Sequence, residues 1–214
     1  MRGKFITIEG QDGAGKSTNI DVIRKFLQDK GITFVSTREP GGTPVGELLR
    51  DTVLKSNSEF IGDTAELLIM FAARAQHLEQ VILPALEQGN WVLSDRFTDA
   101  TYAYQGAGRE CGMDDIATLE TLVQGDLQPD LTVLLDVPVE VGASRADQRS
   151  KPDRFELQAS EFKSRVRQCY LSRASADPKR IKVVDAGQPL ESVQQAVEET
   201  LTAFWASLPD SKQA

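Results

Sequence analysis

The sequence predicts an α/β fold in which a doubly wound sheet of five parallel strands carries helices on both faces. Five short apolar runs, each typical of a strand buried on both sides, alternate with longer segments of helical periodicity. Strands that alternate with helices pair in parallel through right-handed crossovers and bind ligands at their carboxyl ends. We therefore expect the function to reside in the loops that follow the strands.

The predicted elements follow one another in a regular order. Strands are predicted at 5–9, 32–37, 91–94, 131–136 and 181–184, because these short runs are apolar or β-branched. Helices are predicted at 16–28, 64–87, 114–123, 161–174 and 190–205 from their apolar stripes. Gly31 marks the end of the first helix, and Asp63 is a candidate N-cap of the second. Pro84 lies inside that second pattern, so we expect the helix to kink or split near it.

Length and composition indicate one globular domain, spanning residues 1–214. The chain is 40% hydrophobic and 26% charged, and no apolar run approaches the roughly 20 residues that a membrane helix needs. Its first residues lead into a strand pattern without a signal-peptide core, so we expect a cytoplasmic protein with no membrane partner. The net charge of −8 argues against sequence-independent binding of nucleic acid. Cys111 and Cys169 are isolated, which indicates reduced, structural thiols.

A glycine-rich motif lies between the first predicted strand and the first predicted helix. Residues 10–17 read GQDGAGKS, a complete match to G-x-x-x-x-G-K-[ST]. Glycines at this spacing let backbone N–H groups turn inward around a phosphate, and the helix N-terminus adds a positive field. The motif predicts a P-loop NTPase fold that binds ATP. The predicted ATP-binding residues of this segment are Gly10, Gln11, Asp12, Gly13, Ala14, Gly15, Lys16, Ser17 and Thr18.

Three side chains of the motif carry chemistry. Lys16 is expected to reach the β- and γ-phosphates, and the Ser17 hydroxyl to ligate Mg²⁺. Asp12 is unusual, because a carboxylate beside a phosphate site is repelled unless it accepts from a donor or lies near the metal. Two interpretations of Asp12 stay open: a loop carboxylate that faces solvent, and an acceptor for a sugar hydroxyl of a second substrate.

Charged residues also follow the second and third predicted strands. Arg38 and Arg96 each follow a strand that ends at the carboxyl edge, so their guanidinium groups could converge on the phosphate of an acceptor nucleotide. Either could instead form a surface ion pair worth well under about 1 kcal/mol. Asp95 ends an apolar run in the Walker-B position, where a carboxylate can hold Mg²⁺ through water or pair with a neighbouring cation.

Beyond the P-loop, the order of motifs resembles the thymidylate kinase family along nearly the whole chain. The segments that carry the resemblance are 8–10 (IEG), 37–43 (TREPGGT), 71–74 (FAAR), 95–96 (DR), 101–106 (TYAYQG) and the 185–186 loop. The resemblance implies an ATP- and Mg²⁺-dependent phosphotransferase that converts dTMP to dTDP, for dTTP biosynthesis. It also implies a homodimer.

The resemblance assigns roles to individual residues. It places Phe71 against the thymine ring, Arg74 at a base carbonyl, and Tyr104 against the sugar C2′, where a ribonucleotide would be disfavoured. On periodicity alone, Phe71 is better explained as a core residue, and core packing explains Leu54 as well as a pocket role does. Together with Asp12 from the P-loop, the substrate-binding residues that the resemblance implies are Arg38, Leu54, Phe71, Arg74, Arg96, Thr101, Tyr104 and Gln105.

A polar segment at about 145–155 that carries three arginines is predicted to be a short lid. Phosphoryl transfer spreads charge over the oxygens of the transition state, so an arginine supplied by the same chain can accelerate it by orders of magnitude. In the family this charge comes from the P-loop or from the lid, and residues 10–15 contain no arginine. Arg149 and Arg154 are therefore predicted to be catalytic, with Lys16 and Arg96, and Arg145 is placed on the adenine side. A solvated charged loop is the alternative.

Three other functions are alternatives to this one. Another nucleoside monophosphate kinase is the nearest, although the short lid speaks against a zinc-bearing adenylate kinase and Tyr104 favours a deoxynucleotide. A GTPase should carry an Asn-Lys-x-Asp motif, which the sequence lacks. A silent nucleotide-binding scaffold is disfavoured by the full set of candidate catalytic residues. His77, the only histidine, is expected on a helix surface or at a subunit contact, because an already ionised acceptor phosphate needs no general base.

Overall fold

In the computed structural model, which describes residues 2–55, 60–147, 154–155 and 157–209, five strands form one parallel sheet. The strands are β1 (Phe5–Glu9), β2 (Phe34–Arg38), β3 (Trp91–Asp95), β4 (Leu131–Asp136) and β5 (Ile181–Asp185). Their order is β2-β3-β1-β4-β5, and every neighbouring pair is parallel. The predicted doubly wound, five-stranded parallel sheet is confirmed.

Helices cover both faces of this sheet. They are α1 (Lys16–Asp29), α2 (Pro44–Lys55), α3 (Asp63–His77), α4 (Leu83–Glu87), α5 (Thr98–Thr101), α6 (Met113–Gln124), α7 (Val139–Asp147), α8 (Ser160–Ala176) and α9 (Leu190–Ser207), with π-helical segments at Leu78–Ile82 and Tyr102–Gly108. Val133 and Leu135 pack in the apolar cluster under α1 and α9, whereas Leu134 packs in the cluster under α8. Both faces of β4 are therefore buried, as the unbroken apolar strand pattern predicted.

The central strand β1 fixes the position of the site. The chain leaves β1 for the outer strand β2, returns to β3, and then crosses to β4 on the other side of β1. Ligands of doubly wound sheets bind where the connections diverge in this way, beyond the carboxyl ends of the strands. Arg38 at the end of β2 is in register with Asp95 at the end of β3, so the loops after β1, β2 and β3 meet at this edge.

The predicted long helix at 64–87 consists of three segments. An α-helical segment ends at His77, a π-helical segment follows, and α4 starts one residue before Pro84. Proline has no N–H to continue the i→i−4 ladder, so the expected split near Pro84 is confirmed. The prediction of Asp63 as N-cap is wrong: Gly62 holds that position, and Asp63 is the first helical residue, where its charge still favours the helix dipole.

Three helices were not predicted. Of these, α2 starts at Pro44, with the Thr43 hydroxyl accepting a hydrogen bond of 2.9 Å from the Gly46 N–H. A threonine cap followed by proline at the first helical position is a helix-start signal. The segments α5 and α7 are only 4 and 9 residues long, too short for a clear periodicity. The boundaries of β1 and β4 are those predicted, and the boundaries of the other elements differ from the predicted ones by at most two residues.

At the amino end of the sheet, Trp91 contacts the last helix. Its ring centroid lies 5.9 Å from that of Trp205 and 6.1 Å from that of Phe204. These contacts fix α9 at the start of β3, at the edge opposite the P-loop. None of the helices in the described part of the chain has both the length and the hydropathy to cross a membrane.

The P-loop packs directly on the backbone of α7. Gly13 has a φ of +77°, and a Cβ atom built there would lie 1.9 Å from the Gly142 carbonyl oxygen. This combination of a left-handed backbone and a carbonyl in contact explains why only glycine fits at this position. Gly31 has a similar φ of +67°, but a Cβ atom added to Gly31 would have no other atom within 4 Å.

We expect Gly13→Ala to destabilise the fold more than Gly31→Ala does. The two substitutions share the left-handed strain, about 1 kcal/mol, and only Gly13→Ala adds a clash with backbone, at least about 1–3 kcal/mol. Urea unfolding of both variants measures the difference. Equal free energies of unfolding for the two variants would show that the contact with Gly142 relaxes at no cost.

Candidate active site

A cavity of about 190 Å³, partly open to solvent, lies beyond the carboxyl ends of β1, β2 and β3. The P-loop forms one wall, and α2, α3 and the segment after β3 form the others. Its lining residues are Asp12, Gly13, Gly15, Lys16, Ser17, Glu39, Pro40, Arg50, Leu54, Met70, Arg74, Asp95, Arg96, Phe97, Ala100, Thr101, Tyr104, Gln105 and Phe155. Most of the predicted site residues therefore meet in one place.

Lys16 is held by the P-loop backbone. Its Nζ donates to the carbonyls of Gly10 at 2.9 Å and Gln11 at 3.2 Å. Burial and the nearby Arg96 lower the pKa of Lys16. The Gln11 side chain donates to the Val137 carbonyl at 2.6 Å and so fastens the loop to the segment after β4. The ammonium group is thus already fixed beside the glycine loop, where a phosphate would compete with the carbonyls for it.

Arg96 forms the most connected group of the cavity. Its guanidinium donates to Asp12 Oδ1 at 2.6 Å, to the Gly10 carbonyl at 2.8 Å and to the Tyr104 hydroxyl at 3.2 Å. The Tyr104 hydroxyl donates to the other oxygen of Asp12 at 3.1 Å. Burial opposes the charge of Asp12, but Arg96 and Lys16 outweigh it and hold the pKa of this carboxyl below its usual value. Asp12 is therefore an ion-paired group within the cavity and not a solvated loop residue.

The backbone at Arg96 is held in an uncommon conformation. Its φ is +71°, a region that costs a non-glycine residue about 1–2 kcal/mol. The Arg96 N–H donates to the Ile8 carbonyl at 3.0 Å, and the Ser94 hydroxyl donates to the Arg96 carbonyl at 2.8 Å. These bonds fix the turn, and the turn directs the guanidinium into the cavity.

Glu9 supports this turn from below. The buried carboxyl accepts from the Phe97 N–H at 2.7 Å and from the Tyr170 hydroxyl at 2.8 Å. Burial and the neighbouring charge of Asp99 raise the pKa of Glu9 to about 8, although Arg96 opposes this shift. A carboxyl directly beneath the P-loop thus links β1 to the residue that follows Arg96.

The structure distinguishes between two arginines at the acceptor side. Arg38 pairs with Glu47 at 2.8 Å, is half exposed, and lines a neighbouring groove shared with Ser17 and Asp95. Arg50, which the sequence analysis missed, lines the main cavity and donates to the Pro40 carbonyl at 2.8 Å. Burial together with the charges of Arg38 and Arg96 lowers the pKa of Arg50. Arg50 therefore lies nearer the predicted acceptor site than Arg38 does.

At the far end of the cavity, Arg74 is anchored by a buried carboxylate. Its Nε donates to Glu39 at 2.8 Å, and one terminal nitrogen donates to the Thr101 hydroxyl at 2.9 Å. The other terminal nitrogen, Nη1, is buried and has no hydrogen-bond partner in the described part of the chain. Arg74, which lines the cavity, thus keeps one buried donor without a hydrogen-bond partner among the described residues.

His77 was expected on a helix surface or at a subunit contact. In the structure this side chain is fully buried. One ring nitrogen is 3.0 Å from Glu39, and the other is 2.6 Å from the Thr37 hydroxyl. A Cβ atom built on Gly42 would lie 2.5 Å from the ring, so the glycine loop after β2 packs directly on it. His77 is a structural residue that fixes Glu39, and through it Arg74.

Gln105 completes this end of the cavity. Its amide nitrogen donates to the buried Glu66 at 3.0 Å, and its amide oxygen is buried without a hydrogen-bond partner among the described residues. The prediction that Thr101, Gln105 and Leu54 lie near a base agrees with their positions on the cavity wall.

Phe71, the predicted stacking residue, packs against Arg74, whose Cζ lies 4.9 Å from the ring centroid. Phe71 is buried in a separate cluster with Leu67 and Ile116, and it is Met70, one position earlier on α3, that lines the cavity. The stacking of Phe71 on thymine stays a prediction of the family resemblance. Phe97, which the sequence analysis left out, and Phe155 supply the aromatic surface of the cavity.

Asp95 and Ser17 lie together, as the predicted metal site requires. Both line the main cavity and the neighbouring groove. Asp95 Oδ1 is buried and has no hydrogen-bond partner among residues that the structure describes. Within the same residues, no three His, Cys, Asp or Glu side chains form a metal site of their own. A metal here would thus also depend on hydroxyl, water or phosphate oxygens.

A second pocket lies on the other side of the P-loop. Its lining includes Thr18, Arg145 and Gln188, and Arg145 donates to the Ala186 carbonyl at 2.8 Å. The predicted adenine-side position of Arg145 agrees with this location. Arg149 lies outside the described residues. Arg154 lies 3.2 Å from Glu66 and donates to the Ile61 carbonyl at 3.0 Å, away from Lys16 in this conformation.

The chain is similar to known proteins over nearly its whole length. A family model described as thymidylate kinase matches residues 8–197. A thymidylate kinase of Pseudomonas fluorescens is 55% identical over 201 residues, which cover 94% of this chain and 96% of the relative. One from Nitrosomonas europaea is 53% identical over 212 residues, covering 99% and 98%. The crystal structure of thymidylate kinase from Ehrlichia chaffeensis is 32% identical with a TM-score of 0.74, covering 94% of this chain and 99% of that one.

The raised pKa of Glu9 predicts a pH-dependent stability. A carboxyl that titrates near 8 in the fold and near 4.5 when unfolded binds its proton more tightly in the fold. Its stabilising contribution is present below about pH 4.5 and is lost as the pH rises toward 8. Glu9→Gln removes this titration, so its free energy of unfolding relative to wild type should increase between pH 5 and pH 9 by at least about 1 kcal/mol. A difference independent of pH in denaturant titrations would contradict this assignment.

Proposed function

The chain belongs to the thymidylate kinase family, and from this premise we infer that it transfers a phosphoryl group from ATP to dTMP, giving dTDP and ADP. The family assignment confirms the resemblance deduced from the sequence motifs. The enzyme is thus a nucleoside monophosphate kinase.

The observation that carries the choice of acceptor is a pair of unused polar atoms in the cavity wall. Arg74 Nη1 is a donor and Gln105 Oε1 is an acceptor, and both are buried without partners among the described residues. Thymine presents the matching edge, a C4 carbonyl beside an N3–H group. Cytosine and adenine present a donor and an acceptor in the reverse order, whereas uracil and guanine share the order of thymine, so this pattern rules out the first two bases. Buried polar atoms left unpaired cost about 1–3 kcal/mol each, so a complementary base is strongly preferred.

The phosphate end of the cavity suits an anionic acceptor facing an anionic donor. Arg50 and Arg96 supply fixed positive charge on the acceptor side, and Lys16 supplies it at the P-loop. We propose that Arg96 and Arg50 hold the phosphate of dTMP while Lys16 and the loop amides hold the donor phosphates. Transfer then depends on in-line positioning and on charge stabilisation, and the ionised acceptor needs no general base.

Asp12 and Tyr104 are proposed to act on the sugar side. Asp12 holds the Arg96 guanidinium by an ion pair, and Tyr104 lies beneath the same guanidinium, 4.9 Å from ring centroid to Cζ. The ring edge also contacts Phe155. A ring fixed on several sides leaves little space for an additional 2′-hydroxyl, which supports the proposed preference for a deoxynucleotide.

We propose that Ser17 and Asp95 hold the Mg²⁺ that accompanies ATP. The fit rests on the buried, unpartnered Asp95 Oδ1 and on the exposed Ser17 hydroxyl beside it. When bound, this ion neutralises part of the phosphate charge that develops during transfer. Four further points stay predictions of the sequence. They are the catalytic roles of Arg149 and Arg154, the single kinase domain with a lid, the homodimer and the cytoplasmic location.

An ADP-release assay across dTMP, dUMP, dCMP, UMP, AMP and GMP tests the proposed function. We expect the highest kcat/KM with dTMP, and Lys16→Ala should lower kcat by at least about 100-fold because it removes a charge that stabilises transfer. Higher kcat/KM with dCMP or AMP than with dTMP would overturn the proposed acceptor.

The two acceptor-side arginines can be separated by matched substitutions. Because Arg50 lines the cavity and Arg38 is paired with Glu47, we expect Arg50→Gln to raise KM for dTMP about tenfold or more, and Arg38→Gln to raise it less. Steady-state kinetics at saturating ATP measures both, with thermal unfolding as a check on folding. The reverse order of effects would restore Arg38 as the main phosphate ligand.

A further inference from the structure

Glu66 is a fully buried carboxylate that the catalytic chemistry does not use. It lies in the first turn of α3, behind the cavity wall, and is not among the residues that line the cavity. Its Oε1 accepts from Gln105 Nε2 at 3.0 Å and from Arg109 Nε at 3.3 Å. Its Oε2 lies 3.2 Å from Arg154 Nη1. Burial of a carboxylate is costly, so the fully buried position of Glu66 calls for a structural or functional explanation.

The contact with Gln105 determines which way its amide points. A carboxylate can only accept hydrogen bonds, so the Gln105 group that faces Glu66 must be the NH₂ group. The amide oxygen is then the group left unpartnered and buried. The backbone around Gln105 is also fixed, since its carbonyl accepts from the Cys111 N–H at 3.1 Å. Rotation of the amide by 180° would bring its oxygen against the carboxylate, so Glu66 opposes that rotation.

We propose that Glu66 is a specificity-determining positioning residue, which holds the Gln105 amide so that its oxygen, and not its NH₂ group, meets the base. This inference rests on the proposed function. Glu39 holds Arg74, which supplies the donor for the base, and Glu66 holds Gln105, which supplies the acceptor. Two buried carboxylates, each outside the reacting groups, thus set a donor and an acceptor for a pyrimidine with a 4-carbonyl and an N3–H.

The orientation of the Gln105 amide determines which bases can pair with it. With the amide held as observed, thymine and uracil donate N3–H to Gln105 Oε1, whereas cytosine brings an unprotonated N3 against that oxygen. If the amide rotates, its NH₂ group faces the base. Cytosine N3 can then accept a hydrogen bond from this group, whereas thymine N3–H faces a second donor. Glu66 should therefore control the ratio of dTMP to dCMP use, and dUMP should follow dTMP.

The substitution Glu66→Gln tests this, because a glutamine at 66 can present either an oxygen or an NH₂ group and so permits both orientations of Gln105. We expect the ratio of kcat/KM for dTMP over dCMP to fall by at least about tenfold, with most of the loss in KM for dTMP and a parallel loss for dUMP. Calorimetric binding of each monophosphate supplies the ratio where turnover of dCMP is too slow.

A matched control separates positioning from loss of charge. Asp63 lies in the same turn of α3, 3.8 Å from Arg109, and is half exposed, so Asp63→Asn removes a neighbouring negative charge without touching Gln105. This variant should keep the wild-type ratio. In Glu66→Gln/Gln105→Glu the acceptor at 105 is restored and the net charge is unchanged, so the preference for dTMP should recover.

The possible outcomes are distinguishable. A folded Glu66→Gln enzyme with the wild-type ratio, or one that loses dTMP, dUMP and dCMP equally, would overturn the inference while leaving the proposed function intact. If Glu66→Gln does not fold, Glu66→Gln/Arg109→Gln removes one cation with the carboxylate and carries the same expected change in the ratio. A wild-type enzyme that fails to use dTMP would instead overturn the proposed function itself.

Discussion

The ion pair between Arg96 and Asp12 is the interaction on which the rest of the cavity depends. Arg96 follows β3 and Asp12 lies in the loop after β1, so the pair joins the two loops on which donor and acceptor must meet. The same guanidinium also donates to the Gly10 carbonyl. A glycine loop alone is conformationally permissive, and here a fixed cation from the neighbouring strand defines its shape. The strained backbone at Arg96 is maintained because β1 bonds it from both sides of the turn.

Buried carboxylates organise the opposite end of the cavity. Glu39, itself in the cavity wall, accepts from Arg74 and contacts His77, and Glu66, behind the wall, accepts from Gln105. Each of the two side chains proposed to face the base is thus held by a carboxylate. Buried charge is favourable only when it is paired. Both oxygens of Glu39 have partners, whereas Glu66 accepts hydrogen bonds through Oε1 and has the Arg154 guanidinium 3.2 Å from Oε2. Recognition at this site therefore depends on side chains that lie behind the wall as much as on those in it.

The fold and the phosphate-binding loop could be predicted because their signals are local. The strand runs, the helix stripes and the spacing of glycines each lie within a few residues. Arg50 was missed because α2 was not predicted, although Thr43 and Pro44 carry a helix-start signal. Periodicity could not decide which side of α3 faces the cavity, because one residue along a helix turns the side chain by about 100°. That step separates the cavity wall, where Met70 lies, from the core.

The buried polar network could not be predicted from the sequence, because its partners are far apart along the chain. Glu39 and Arg74 are 35 positions apart, and Glu66 and Gln105 are 39 apart. A lone acidic residue on a predicted helix is most simply interpreted as solvated, and only the tertiary structure shows that it is enclosed.

The position of the two tryptophans has a practical meaning for spectroscopy. Trp91 and Trp205 contact each other at the amino end of the sheet, a full strand length from the nucleotide cavity. The intrinsic indole emission of this enzyme is consequently an optical reporter of how the last helix docks on the sheet. Neither indole lines the cavity at the opposite edge, whose aromatic side chains are Phe97, Tyr104 and Phe155. Fluorescence titrations of substrates call for an extrinsic dye or for a tryptophan placed beside the cavity.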